Sequence, residues 1–182
     1  MTIQTLPIKK ASNSKAVKAL YKRAFPKEEQ MPWLLLRFLT ACGVTEINCY
    51  YHEDTLLGFT YSTTTSQLQF ILFFAVEDTQ RGKGCGSAIL EHLKQENENR
   101  PMVLNVEPID PKADNAQQRL RRMEFYRKNG FYETGYEVDE VGGTFWILST
   151  HKTLDVAAYL GAFAKLSFGL WKPAIRRVKE NG

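Results

Sequence analysis

The run Leu68-Gln69-Phe70-Ile71-Leu72-Phe73-Phe74-Ala75-Val76 ends five residues before a Gly-rich stretch that opens at Arg81, and this pairing constrains the fold more than any other feature of the chain. A nearly unbroken apolar run of strand length suits a central strand covered on both faces. The stretch after it is Arg81-Gly82-Lys83-Gly84-Cys85-Gly86. Closely spaced glycines allow backbone geometries that a Cβ would obstruct, so several N–H groups can point into one concavity. Ser87 to Glu98 then reads as a helix with Ile89, Leu90 and Leu93 on one face. Its positive N-terminal end adds to the concavity, and Arg81 and Lys83 add formal charge, so the segment is expected to hold a pyrophosphate without a metal ion. The glycine spacing fits neither the dinucleotide fingerprint GxGxxG nor a P-loop, which excludes both nucleotide folds.

The surrounding chain alternates helices and strands. Ile3, Leu6 and Ile8 mark a short strand within Thr2 to Lys9, and Ser12-Asn13-Ser14 offers a side-chain cap for a helix from Ser14 to Phe25, which Pro26 closes. The loop Lys27-Glu28-Glu29-Gln30 precedes a second helix rich in apolar residues, from Trp33 to Leu39, and is expected to form a substrate rim. Thr45 to Tyr51, Leu56 to Thr65 and Leu68 to Val76 read as an antiparallel meander. Beyond the Gly-rich loop and its helix, Pro101 turns the chain into a strand, Met102 to Val106, completing a crossover unit. A helix from about Asn115 to Lys128 ends at Asn129-Gly130, and strands Phe131 to Val138 and Thr144 to Ser149 join around Gly142-Gly143.

Composition narrows the class further. A chain of 182 residues without an evident linker can bury a continuous core, and 43% hydrophobic with 24% charged residues is ordinary for a globular protein. The net charge of +4 is modest, and its basic runs, Arg119 to Lys128 and Lys172 to Lys179, read as solvated faces, so nucleic acid is not an expected partner. Cys42, Cys49 and Cys85 form no CxxC and have no His at zinc spacing, so neither a disulfide framework nor a metal is expected. Reduced thiols and an opening segment, Met1 to Lys10, without an apolar run favour a cytoplasmic location.

The segment Val76 to Ser87 resembles the acetyl-CoA-binding motif of the GCN5-related N-acetyltransferase (GNAT) family, Arg-x-x-Gly-x-Gly/Ala after a central strand. Phe125-Tyr126-Arg127-Lys128-Asn129-Gly130-Phe131 resembles that family's second motif, a helix-borne Tyr followed by Gly-Phe opening a strand. In element order the similarity covers Thr2 to Ser149. It implies an α/β (α+β) acyl-CoA N-acyltransferase fold, a mixed and mostly antiparallel sheet flanked by helices. It also implies transfer of an acetyl group from acetyl-CoA to a primary amine by direct attack. A non-catalytic acyl-CoA sensor or scaffold is the alternative. By the same resemblance the backbone of Phe74, Ala75 and Val76 takes the pantetheine arm, and Arg81, Gly82, Lys83, Gly84, Cys85, Gly86 and Ser87 hold the pyrophosphate.

Acyl transfer to an ammonium requires that a proton be taken from the amine and that the departing thiolate be stabilised. Tyr126 shares a helical stripe with Ala116, Leu120 and Met123, so it should face inward, and its match to the family's Tyr makes it the proton donor to the sulfur. Glu107, at the C-terminal end of its strand, is the candidate base, with Glu28 and Glu29 as alternatives. Many family members carry Asn seven residues and Ala four residues before the motif Tyr, where this chain has Arg119 and Arg122. The expected acceptor is a small-molecule or peptide amine. The acidic residues suit a cation and the arginines an anion.

The acetyltransferase domain is expected over residues 1–150, with a helical extension over residues 151–182. Leu154 to Trp171 reads as one helix continuing to Pro173, too short and too charged to span a bilayer. Its expected uses are packing on its own sheet, docking on a second copy in a homodimer, or, least favoured, lying on an anionic membrane surface.

Overall fold

The computed structural model describes residues 2–9, 14–97, 100–140, 143–170 and 172–178. The cap expected at Ser12-Asn13, the helix end at Glu98, the turn residue Gly142, and Trp171 and Lys179 lie outside them. The chain divides into two compact units, residues 1–64 with 71–99, and residues 65–70 with 100–182.

In the first unit, strand β1 (Gln4–Pro7) is followed by helix α1 (Ser14–Ala24), which buries Val17, Leu20 and Tyr21 and stops before Pro26. After a 3-10 turn at Lys27–Glu29, helix α2 (Trp33–Ala41) buries Leu36 and Leu39. Strands β2 (Glu46–His52), β3 (Thr55–Thr64) and β4 (Gln69–Val76, whose first two residues, Gln69 and Phe70, belong to the second unit) then lie in the order β1-β2-β3-β4. The β1–β2 and β2–β3 pairs are antiparallel, the latter with a bulge at Tyr50/Tyr51. The core is aromatic: the Tyr21 ring lies 5.1 Å from Phe73 and 5.8 Å from Trp33, and its hydroxyl accepts from the Met31 N–H at 2.7 Å. Helix α3 (Cys85–Glu96) buries Cys85, Ile89, Leu90 and Leu93 along one face.

The second unit contains strand β5 (Met102–Val106), helix α4 (Ala116–Lys128), strands β6 (Tyr132–Glu140) and β7 (Gly143–Ser149), helix α5 (Val156–Leu166) and strand β8 (Ile175–Arg177). Its strands run in the order β5-β7-β6-β8, every pair antiparallel. Helix α5 is capped by the Asp155 carboxylate accepting from the Ala158 N–H. It buries Ala158, Tyr159, Ala162 and Phe163, with Tyr159 and Phe163 against Phe70 at 5.3 and 5.0 Å.

Two expectations for the C-terminal region change. The helix ends at Leu166, not at Pro173, because Phe168 (φ 52°) and Gly169 (φ 78°) turn left-handed and the Gly169 N–H closes on the Ala164 carbonyl at 2.8 Å. The basic segment beyond it forms β8, an unexpected edge strand in which Arg176 pairs with Glu137 at 2.5 Å and also with Asp139. Among the described residues no helix is long and apolar enough to cross a membrane.

Candidate active site

The Gly-rich segment lies in the first unit. From the end of β4 the chain passes through a 3-10 turn, Asp78–Gln80, held by Arg23 of α1, which donates to Glu77 at 2.7 Å and to Asp78 at 3.1 Å. Gly82 (φ 74°) and Gly84 (φ 81°) are both left-handed, and a Cβ at either would meet only open space. Their conformation, not crowding, is what demands glycine. Gly84 is the N-cap of α3, and the first bond into the helix is Ala88 N–H to the Gly84 carbonyl at 3.0 Å. The helix therefore begins two residues earlier than expected. Cys85, Gly86 and Ser87 form its first turn, whose N–H groups precede the first intrahelical bond and point out of the helix end. These donors and the positive end of the helix dipole face the side on which an anion would approach.

Arg81 is turned back onto the strand, with one guanidinium nitrogen 3.0 Å from Asp78 and Nε donating to the Val76 carbonyl at 3.3 Å. Lys83 is exposed. In β4, Phe74 and Val76 are half-buried and Ala75 is buried. Sequence reasoning missed Gly58 on β3, where a Cβ would lie 2.3 Å from the Ala75 carbonyl oxygen.

The second unit carries Tyr126 and Glu107. Tyr126 is buried on α4 with Met123, its ring 5.2 Å from Phe125 and 5.5 Å from Phe131. Gly130 (φ 76°) terminates α4, and the Phe131 N–H closes on the Tyr126 carbonyl at 3.0 Å, which fixes the second motif in place. Burial pushes the Tyr126 hydroxyl up to about 12, while the Arg122 guanidinium pulls in the opposite direction. Glu107, just past β5, has both oxygens engaged: Oε1 with Arg119 at 2.9 Å and Asn115 at 3.1 Å, and Oε2 with Arg122 at 2.9 Å. The alternatives Glu28 and Glu29 lie in the 3-10 turn before α2. A cavity of about 290 Å³, lined in part by Leu68, Val103, His151 and Asp155, includes none of the expected site residues. Among the described residues no group of three or more His, Cys, Asp or Glu could hold a metal.

Residues 43–133, from the end of α2 into β6, match the family model described as the acetyltransferase (GNAT) domain. The chain belongs to the GNAT family of acetyltransferases, and its α/β fold, with mostly antiparallel strands and flanking helices, is that family's. A protein from Bacteroides thetaiotaomicron assigned to the same family superposes with a TM-score of 0.71 at 27% identity, over 94% of this chain and 100% of that one. An aminoglycoside 6'-N-acetyltransferase complexed with coenzyme A matches with a TM-score of 0.62 at 15% identity, over 85% of this chain and 100% of that one. An Arabidopsis thaliana protein bound to the bisubstrate analogue CoA-Ac-MVNAL matches with a TM-score of 0.57 at 18% identity, over 82% of this chain and 98% of that one. The latter two likenesses show the fold alone. No protein of curated function matches the sequence.

Proposed function

We propose that the chain transfers an acetyl group from acetyl-CoA to a primary amine by direct attack. The observation that supports this most is the turn in which left-handed Gly82 and Gly84 lead into the open N-terminus of α3 behind a buried strand. A pyrophosphate fits it, because the first-turn N–H groups of Cys85, Gly86 and Ser87 need acceptors and the glycines leave the approach clear. The backbone of Phe74, Ala75 and Val76 would take the pantetheine arm, sharing the Val76 carbonyl with Arg81. An aminoglycoside and a peptide appear in the names of the structural neighbours, and both are consistent with an amine acceptor.

In the reaction the amine nitrogen bonds to the acyl carbon, the C–S bond breaks, and the electron pair leaves on sulfur. Tyr126 would meet that charge. Its hydroxyl stays protonated at neutral pH, with a pKa of about 12, against ~8.5 for an ordinary thiol. Surrendering the whole proton would be uphill by ~5 kcal/mol, so the hydroxyl serves as a hydrogen-bond donor to the sulfur, and the thiolate takes its proton from solvent on release. The proton lost by the amine passes to solvent. Glu107 is poorly placed for that task, because Oε1 already accepts from Arg119 and Asn115 and Oε2 from Arg122. Its principal work in this reading is to hold Arg119 and Arg122.

The test is thermal stabilisation by acetyl-CoA against CoA, ATP and NAD at matched concentration, followed by acetyl transfer to a panel of amines. Selective stabilisation by CoA species, about 2.7 kcal/mol at ~100 times the dissociation constant, together with turnover supports the reading. Stabilisation without turnover on any amine would leave a binding protein, and no stabilisation by a CoA species would remove the site.

A further inference from the structure

The two arginines that replace the Asn and Ala of many family members do different jobs. Arg119 is fully committed: Nε donates to Asn115 at 2.7 Å, Nη1 to the Pro108 carbonyl at 3.1 Å, and Nη2 to Glu107. Arg122 is pinned by Nη1 alone, 2.9 Å from Glu107 Oε2, and is one-third exposed. Among the described residues its Nε and Nη2 meet no hydrogen-bond acceptor. Those two nitrogens are one edge of a planar fork, the edge that matches the two oxygens of a carboxylate. Glu107 thus fixes the guanidinium from one side and leaves the recognition edge open on the other.

Place and charge narrow the ligand. Arg122 sits four residues before Tyr126, on the same stripe of α4, where side chains are neighbours. Its effect on the Tyr126 hydroxyl reports the same nearness. Two guanidiniums against one carboxylate leave the cluster with one net positive charge. A singly charged carboxylate neutralises it, whereas a phosphate dianion would over-compensate it.

Resting on the acyl-transfer reading above, we propose that the Nε–Nη2 edge of Arg122 binds a carboxylate carried by one of the two reactants, so that this enzyme selects an anionic reactant over a neutral or cationic one. The carboxylate has two sources, the far end of a dicarboxylic acyl group on CoA or the acceptor amine itself. A simple staple between β5 and α4 would use the same ion pairs and select nothing.

The experiment crosses acetyl-CoA and succinyl-CoA with a short series of ω-amino acids and the alkylamines of the same length. It is run on the wild-type protein, Arg122→Gln and Arg122→Lys. The expected result is a KM lower by roughly ten-fold or more for the carboxylate-bearing member of one arm. That preference disappears in Arg122→Gln, returns in part in Arg122→Lys, and leaves the KM for the uncharged partner unchanged. The responding arm identifies the source. A wild-type protein with no such preference, a preference that survives in Arg122→Gln, or an Arg122→Gln variant that weakens acetyl-CoA and succinyl-CoA equally would overturn the proposal.

Dissociation constants of succinyl-CoA against acetyl-CoA, and of N-acetyl amino acids against N-acetyl alkylamines, repeat the comparison without turnover. An Arg122-dependent preference in binding with no catalysis on any amine sinks the acyl-transfer reading and spares the carboxylate site. Catalysis without the preference does the reverse.

Discussion

Gly58 has an ordinary strand conformation, so its lack of a side chain is a matter of space: a Cβ there would sit 2.3 Å from the Ala75 carbonyl and 3.2 Å from the Val76 Cα. Neither contact is with a flexible side chain, and one strand must move. Gly58→Ala is expected to cost about 1–3 kcal/mol, as overpacking does, and to weaken acetyl-CoA binding, because the displaced backbone is the proposed pantetheine contact. A calorimetric titration that returned wild-type affinity would separate Ala75 and Val76 from the cofactor. Gly161 is the counterexample within α5, exposed and facing open space without a positive φ. Gly161→Ala should raise stability by up to ~1 kcal/mol through helix propensity alone, readable as a higher urea midpoint at unchanged slope. For Tyr126→Phe the ring and its contacts with Phe125 and Phe131 remain, so the loss should fall on kcat, roughly a hundred-fold, with acetyl-CoA affinity kept within about three-fold. Equal kcat in the two proteins would take the hydroxyl out of the mechanism.

At the level of elements, what was legible in the sequence had a local signal. Helix α1 stops at Ala24 because Pro26 follows, β5 spans the expected Met102–Val106, and α4 ends where Asn129-Gly130 allows a left-handed turn. What was not legible depends on closure across the chain. Strand β8 has three residues and no apolar alternation, and it exists because the edge of β6 offers Glu137 and Asp139 to Arg176. The ties from Arg119 and Arg122 to Glu107 join an α4 face to a strand end, and the demand on Gly58 comes from β4. The early end of α5 was readable in principle from Gly169, but the apolar residues around it continue the helical pattern and mask the stop. The consequence for α5 is testable through Phe163, buried against Phe70 and Tyr159 at 5.0 and 5.1 Å. Phe163→Ala should cost about 3–5 kcal/mol, and a change below ~1 kcal/mol in denaturant unfolding would mean that this face is not packed.

Across the whole molecule the most distinctive electrostatic property is a set of tyrosines buried as phenols. Desolvation raises Tyr21, Tyr61 and Tyr126 to about 12, Tyr50 further still, and Tyr159 well above the ordinary phenol value. All five are nearly inaccessible to solvent. In the unfolded chain the same hydroxyls ionise near ~10. The sign follows: above that pH the native state binds more protons than the unfolded state, so stability falls as pH rises from the unfolded value toward the native ones. Each tyrosine contributes at most ~1.4 kcal/mol per pH unit, and five together reach ~7, against a total stability of ~5–15 kcal/mol for a typical domain. The protein is therefore expected to unfold cooperatively between about pH 10 and 12, with the absorbance of these five tyrosinates appearing together with loss of structure, separate from that of the exposed Tyr132. Tyr50→Phe removes one such group together with its 2.8 Å bond to Thr60 and should flatten the alkaline limb of stability against pH by one proton. Tyrosinate absorbance near ~10 that persisted in full in a Tyr132→Phe, Tyr136→Phe variant while circular dichroism stayed native would show that these hydroxyls reach water in the folded state, and would remove with it the reason for treating Tyr126 as a phenol that stays protonated through the reaction.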